Sequence, residues 1–342
     1  MQVDIILEPD LTPAQVAELG MAAERYGIRA LWTSNFFAHW DAFLSAATLT
    51  ERTQRLLIGP LAVSPFEMHP LKIANSLLSL NEMCGGRAVI AVGAGEGNID
   101  AMHLTKPPKI VRAVREALEI VRGAGRGALA NGYKGEDFQI NLPCAYGWIH
   151  RERPPLVYGT AYRGQMMRME ARVADGVFIG CTPPEVMAEA MAEVNEGAAK
   201  REAGMAPLRT NTFWAWHLKR DRKEGYRESR RELAWRARKL DPELLAHVLQ
   251  PDEVQLVRDH YADCVAAWFD RSGNIKGLPE SIPNRLCEYF TSTGGLEDLD
   301  REIERFRMFG KAGLTEVALR LHDDPMEGLK IIGEQVVPAL RS

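Results

Sequence analysis

Gly59-Pro-Leu-Ala-Val-Ser-Pro-Phe-Glu-Met-His-Pro70 and, one helical span later, Leu80-Asn-Glu-Met-Cys-Gly-Gly-Arg-Ala-Val-Ile-Ala-Val-Gly-Ala-Gly-Glu-Gly97 together hold one full repeat of the fold. A strand ends at Gly59-Pro60. An irregular loop then carries the chain to His69-Pro70, where proline suits the first helical position and opens a helix to about Met83. Gly85-Gly86 stops that helix. Residues 88–92 follow as an all-apolar run, the composition of a parallel strand covered on both faces. The run closes in Gly93-Ala94-Gly95-Glu96-Gly97. Glycines at a strand end let backbone approach a planar ring or a phosphate closely, or else serve a tight turn at positive φ.

The same strand-then-helix unit repeats outward. Residues 3–7 read as a strand, Thr12-Pro13 opens a helix to Tyr26, and Gly27 ends it. Residues 30–33 form the second strand, Asp41 caps a helix over 42–52, and residues 56–58 form the third strand. After Gly97, residues 109–121 are helical, and a Gly-, Asn- and Pro-rich stretch over 122–153 carries a hairpin near 133–140. Residues 156–158, 177–179, 212–217 and 316–321 supply strands five to eight. Helices over 163–174, 184–201, 296–309 and 324–340 accompany them. Eight such units are what a barrel needs. The expected fold class is α/β, a (β/α)8 TIM barrel with insertions; an open doubly wound sheet is the alternative. Residues 1–342 read as a single domain, with 218–300 a long helical insertion after strand seven. Barrel loops at that end carry function, so the insertion is a lid, a subunit contact or a plain elaboration.

Composition narrows the class. The 342 residues hold 42 basic and 46 acidic side chains, a net charge of −4, which lacks the basic excess of a nucleic-acid surface. Five cysteines are scattered without a C-x-x-C pair, as free thiols in a reducing compartment would be. No stretch reaches the roughly 18 apolar residues of a membrane span, and the start lacks the pattern of a leader. A cytoplasmic protein with no membrane partner is expected. No His-Glu-x-x-His, Gly-x-Ser-x-Gly or Walker loop occurs. Zinc-hydrolase, α/β-hydrolase and P-loop chemistries therefore fall away, and no metal is expected.

Pro65-Phe66, His69-Pro70, Leu80-Asn81-Glu82-Met83, Gly86-Arg87 and Gly93-Ala94-Gly95-Glu96 together resemble the bacterial-luciferase-like superfamily, nearest to its methylene-tetrahydromethanopterin reductases. Pro155-Leu-Val-Tyr-Gly-Thr-Ala-Tyr-Arg-Gly164, Ala174-Asp-Gly-Val-Phe-Ile-Gly180 and Ile332-Gly-Glu-Gln-Val-Val-Pro338 extend the likeness over the barrel but not over 218–300. The resemblance implies reduced coenzyme F420, hydride transfer to a small organic substrate, and a homodimer. It implies a non-prolyl cis peptide behind the ring, at Leu61–Ala62 or, as the fallback, Ala62–Val63. Leu61, Ala62, Val63, Gly93, Gly95 and Glu96 would then face the ring. Gly159, Thr160, Ala161, Tyr162 and Arg163 would meet the phosphate, because orphan N–H groups and a positive dipole end gather at a helix N-terminus. Gly180 and Cys181 would lie across from them. Lys106, Lys109, Arg112 and Arg115 are either a basic fringe for an anionic tail or a solvated helix face.

One departure affects the chemistry. Relatives that use F420 carry Asp-His after strand two, and here Asn35 and Phe36 stand in those places. The candidate catalytic residues are accordingly Asn35, His39 and His217. The relatives' strand-one acid aligns with Ile6, with Glu8 nearby. Trp214 and Trp216 line the barrel, its mouth or its core, His69 orders its loop, and Glu82 and Arg87 form a structural ion pair. The missing Asp-His keeps two rivals open: an FMN-dependent monooxygenase and a non-catalytic homologous subunit.

Overall fold

The computed structural model describes residues 1–180, 182–237 and 242–341. Two compact units are distinguished: residues 1–213, 306–320 and 329–342 in one, and 214–305 with 321–328 in the other.

The sheet is built on strands β1 (Gln2–Leu7), β2 (Ala30–Ser34), β3 (Leu57–Leu61) and β4 (Val89–Val92). A short hairpin, β5 (Tyr133–Lys134) and β6 (Gln139–Ile140), stands apart. Then come β7 (Leu156–Ala161), β8 (Gly176–Gly180), β9 (Arg209–Leu218) and, after the short β10 (Ser292–Gly294) of the second unit, β11 (Glu316–Arg320). The order β3-β2-β1-β11-β9-β8-β7-β4 runs through eight strands. Parallel bridges Ile58↔Ala88 and Val63↔Val92 join the two ends into a barrel. The expected TIM-barrel class is therefore observed, and the open sheet is excluded.

Local chemistry sets the helices between strands. Helix α1 (Pro13–Tyr26) begins with a capping box: Gln15 N–H donates to Thr12 Oγ1 and Thr12 N–H donates to Gln15 Oε1, while Gly27 ends the helix at φ 74°. Helix α2 (Ala42–Ala47) stops earlier than the expected residue 52. The Arg87 guanidinium takes the Thr50 and Thr53 carbonyls, each at 2.9 Å, and so holds that segment in turns. Helix α3 (Pro70–Met83) is capped by His69, whose Nδ1 accepts from Leu71 N–H at 3.2 Å, the ordering role expected of it. Helices α4 (Glu96–Ala101), α5 (Ile110–Ala124), α6 (Gly164–Val173) and α7 (Pro184–Ala198) continue the pattern.

Inside the barrel two layers differ in kind. One is apolar, with Ile6, Trp32, Ala91, Phe178 and Ala318 buried together. The other is ionic and built from residues at strand starts. Arg29 Nε donates to Asp4 Oδ1 at 2.8 Å, and Arg29 Nη2 lies 2.8 Å from Glu316 Oε2. Tyr158 OH donates to Glu316 Oε2 at 2.9 Å, and Trp32 Nε1 and Asn211 Nδ2 donate to Asp4 Oδ2 at 2.9 and 2.8 Å. Burial raises the Glu316 carboxyl above its ordinary range against the pull of Arg29.

The second unit gathers α8 (Arg222–Ala237), α9 (Pro242–Leu245), α10 (Pro251–Asp259), α11 (Tyr261–Phe269), α12 (Ser281–Phe290) and β10. Leu249, Cys264, Leu286 and Phe290 form part of its own apolar core. Trp214 is fully buried there, its Nε1 donating to Ser292 Oγ at 2.9 Å. Of the alternatives for Trp214 and Trp216, packing in a core is the one observed.

No described helix is long and apolar enough to cross a membrane.

Candidate active site

The carboxyl ends of β2, β3, β4, β7 and β8 meet through backbone and small side chains. The chain leaves β3 through a cis peptide at Leu61–Ala62, the first of the two bonds expected. Asn35, just past β2, reaches that bend from the side: its N–H donates to Leu61 O at 3.1 Å and its Nδ2 to Ala62 O at 3.1 Å. Val63 then pairs across to β4. Its N–H donates to Ala91 O at 2.9 Å, and Gly93 N–H donates to Val63 O at 3.1 Å.

Glycines permit the close approaches that follow. A Cβ on Gly93 would lie 1.9 Å from Thr160 Oγ1, so Thr160 fills the space that Gly93 leaves. Gly95 has φ +66°, and a Cβ there would lie 2.4 Å from Ser64 Cβ. A Cβ on Gly180 would lie 2.1 Å from the Tyr162 ring, and one on Gly159 would lie 2.3 Å from Glu170 Cδ. The turns near residues 62, 95 and 162 thus converge on one rim, as the resemblance implied. The positive-φ reading of the Gly-rich turn applies at Gly95, while Gly93 admits the Thr160 side chain.

A residue absent from the sequence-based candidates organises this rim. Glu67 Oε1 accepts from Ser64 N–H at 2.8 Å and bonds Asn35 Nδ2, while its Oε2 accepts from Asn98 Nδ2 at 2.8 Å. One carboxylate therefore ties together the turns after β2, β3 and β4. Its sequence signal was its place between Pro65-Phe66 and His69-Pro70, but its partners are set only by the fold.

The strand β7 continues through Gly159, Thr160 and Ala161, three residues past the expected end at Tyr158. Thr160 pairs with Phe178 and Ala161 with Ile179 of β8, and those pairings prolong the strand. Helix α6 follows at once. Its N-cap is Arg163, whose side chain makes no cap hydrogen bond to the first N–H groups of α6. The Arg163 side chain is exposed, and the described residues offer it no ionic partner. Tyr162 is exposed beside it.

The other candidates lie elsewhere or in other surroundings. His39 is exposed and stacks on Phe36 at 5.5 Å. His217 belongs to the second unit, where it is fully buried, bonds Glu228 Oε1 through Nδ1 at 2.8 Å, and stacks on His322 at 4.6 Å. Glu96 begins α4. Cys181 lies outside the described residues. Ile6 is buried in the barrel interior, and Glu8 pairs with Arg320, whose guanidinium lies 5.4 Å from the Phe213 ring centroid.

Two expectations are corrected. Glu82 does not pair with Arg87: it accepts from His150 N–H at 2.9 Å and bonds the His150 ring, while Arg87 is consumed by the carbonyls of Thr50, Thr53, Leu56 and Cys84. Nor do Arg112 and Arg115 form a free basic fringe. Arg112 pairs with Glu136 and Asp137, which the hairpin folds back onto α5, and Arg115 with Glu116 and Glu119 of α5 itself.

The family model for luciferase-like monooxygenases matches residues 2–315. The chain is 25% identical over 345 residues to a 5,10-methylenetetrahydromethanopterin reductase of Archaeoglobus fulgidus, all of each chain being covered. It is 25% identical over 346 residues to an F420-dependent glucose-6-phosphate dehydrogenase of Nakamurella multipartita, covering 96% of this chain and 93% of the relative. Among solved structures, a coenzyme F420 dependent tetrahydromethanopterin reductase from Methanopyrus kandleri superposes with a TM-score of 0.82 at 20% identity, over 99% of each chain. With this match over most of its length and a closed parallel barrel, the chain belongs to the luciferase-like monooxygenase family.

Proposed function

We propose that this chain is an oxidoreductase that uses reduced F420 for hydride transfer to a small organic substrate. The observation that carries the reading is the single rim formed by Leu61–Val63, Gly93, Gly95 and Gly159–Arg163, where small residues and open backbone face one another. The rim fits such a cofactor in two respects. The glycine faces are filled by Thr160, Ser64 and Tyr162, so the turns pack closely into one surface of backbone and small groups against which a planar ring can lie. Beside them, the uncapped N-terminus of α6 and Arg163, which has no ionic partner among the described residues, suit a phosphate.

When bound, the deazaflavin supplies the hydride; the protein binds, orients and excludes water. In this reading Leu61, Ala62 and Val63 back one ring face. Thr160, Tyr162, Arg163 and the start of α6 hold the phosphate, with Gly180 beside Tyr162. Asn35 fixes the bend through Ala62 O, and a neutral amide so engaged is a positioning group. Its place gives no general acid, so a proton for the substrate comes from another group or from the substrate itself. We further read 218–300 as an elaboration of one catalytic chain, and the protein as a cytoplasmic homodimer, which light scattering of the purified chain checks.

The test is a paired titration with F420 and with FMN, followed by absorbance. Saturable F420 binding with anaerobic substrate reduction supports the reading. Oxygen uptake with reduced FMN assigns the monooxygenase chemistry that the loss of Asp-His leaves open. Binding of neither assigns the non-catalytic role.

A further inference from the structure

Glu170 lies on α6 with no solvent exposure, and its two carboxyl oxygens have no hydrogen-bond partner of good geometry among the described residues. It presses against the last half of β7: a Cβ on Gly159 would lie 2.3 Å from Glu170 Cδ and 2.6 Å from its Oε2. Thr160, the next residue, directs its Oγ1 against Gly93 on the other side. The carboxyl thus supports from beneath the backbone that faces the rim from above. We propose that Glu170 is a positioning residue for an anion held at the Gly159–Arg163 turn, acting through the backbone without touching the ligand. The inference rests on the cofactor reading above and adds a residue to it.

The charge state of Glu170 follows from its surroundings. Burial raises its carboxyl well above the ordinary range, and the backbone N–H of Thr160 is the group that opposes the shift. Charged groups on the packed elements are engaged elsewhere. On α5, Arg122 pairs with Asp175, Arg115 with Glu116 and Glu119, and Glu116 accepts from the backbone at 136–138. On α7, Glu193 and Glu196 face Arg168, and Glu185 and Glu189 are exposed. On α6 itself Arg172 is exposed, and β7 and β8 carry no charged residue. Burial therefore favours the neutral form of Glu170. Once ionised, it competes for Thr160 N–H and places a negative charge beneath the anion.

Two measurements on the full chain test this. The first is affinity for F420, and for its phosphate-free deazaflavin core, as pH rises. For the wild type, F420 binding weakens by roughly tenfold or more as Glu170 ionises, while binding of the core does not change with it. Glu170→Gln removes that fall and matches the wild type at neutral pH. The second measurement needs no ligand. Below the ordinary carboxylate range both folded and unfolded chains hold the proton. Above it the unfolded chain releases the proton first, so wild-type stability falls as pH rises until the folded carboxyl also ionises. Glu170→Gln lacks this loss, and its Tm advantage widens with pH. Glu170→Met, of similar volume, serves if Gln does not fold. If F420 binds and Glu170→Gln keeps the wild-type pH profile, the Glu170 inference is wrong and the cofactor reading stands. If F420 binds at no pH while FMN or nothing does, the cofactor reading fails and takes the Glu170 role with it; the Tm comparison then decides only the charge state.

Discussion

The two layers of the barrel treat polar groups in opposite ways. At the strand starts, Asp4, Arg29, Tyr158, Asn211 and Glu316 are buried and bonded to one another. At the strand ends, the rim is backbone, glycine and small side chains, with an N-terminus of α6 that its N-cap side chain does not bond and an exposed Arg163 without an ionic partner among the described residues. A buried charge is tolerated where its partners are complete, since removing one leaves the others uncompensated. Donors left without protein partners on the rim are the ones available to a ligand. The comparison separates residues that hold the barrel from residues that would use it.

Substitutions can break that separation, beginning with the largest effect. Asp4→Ala takes the acceptor from Trp32 Nε1, leaves Arg29 and Asn211 with Glu316 as their remaining carboxylate, and costs about 3–5 kcal/mol of stability in urea unfolding, while F420 affinity per folded molecule stays unchanged. Glu67→Ala leaves Ser64 N–H, Asn35 and Asn98 without their shared acceptor. It costs about 1–3 kcal/mol and, unlike Asp4→Ala, also weakens cofactor binding, because the bend at Ala62 loses its brace. Arg163→Ala lowers cofactor affinity roughly tenfold through a lost charge-assisted contact and leaves Tm unchanged. His39→Ala alters neither stability nor turnover, since its ring only stacks on Phe36.

The sequence made the repeating frame legible because its signals are local. Thr12-Pro13 with Gly27, and His69-Pro70 with Gly85-Gly86, act within a turn of helix, and each sits where expected. Strand ends were less legible: β7 runs on to Ala161 because β8 offers partners, a fact of pairing and not of composition. Ion pairs were least legible. Glu82 and Arg87 lie close in sequence, but each found stronger partners on other elements. Within the site, the glycine turns were visible as motifs. Glu67 and Glu170 were not, because an acid in a loop and an acid on a helix look like ordinary surface residues until the fold buries them or gives them backbone to hold.

The measurement that bears most directly on the account is a crystal structure of the chain with F420. The account predicts the ring against Ala62, flanked by Gly93 and Gly95, with the phosphate at Thr160–Arg163. A cofactor seated at the strand starts near Asp4 and Glu316, or away from the barrel altogether, would contradict it.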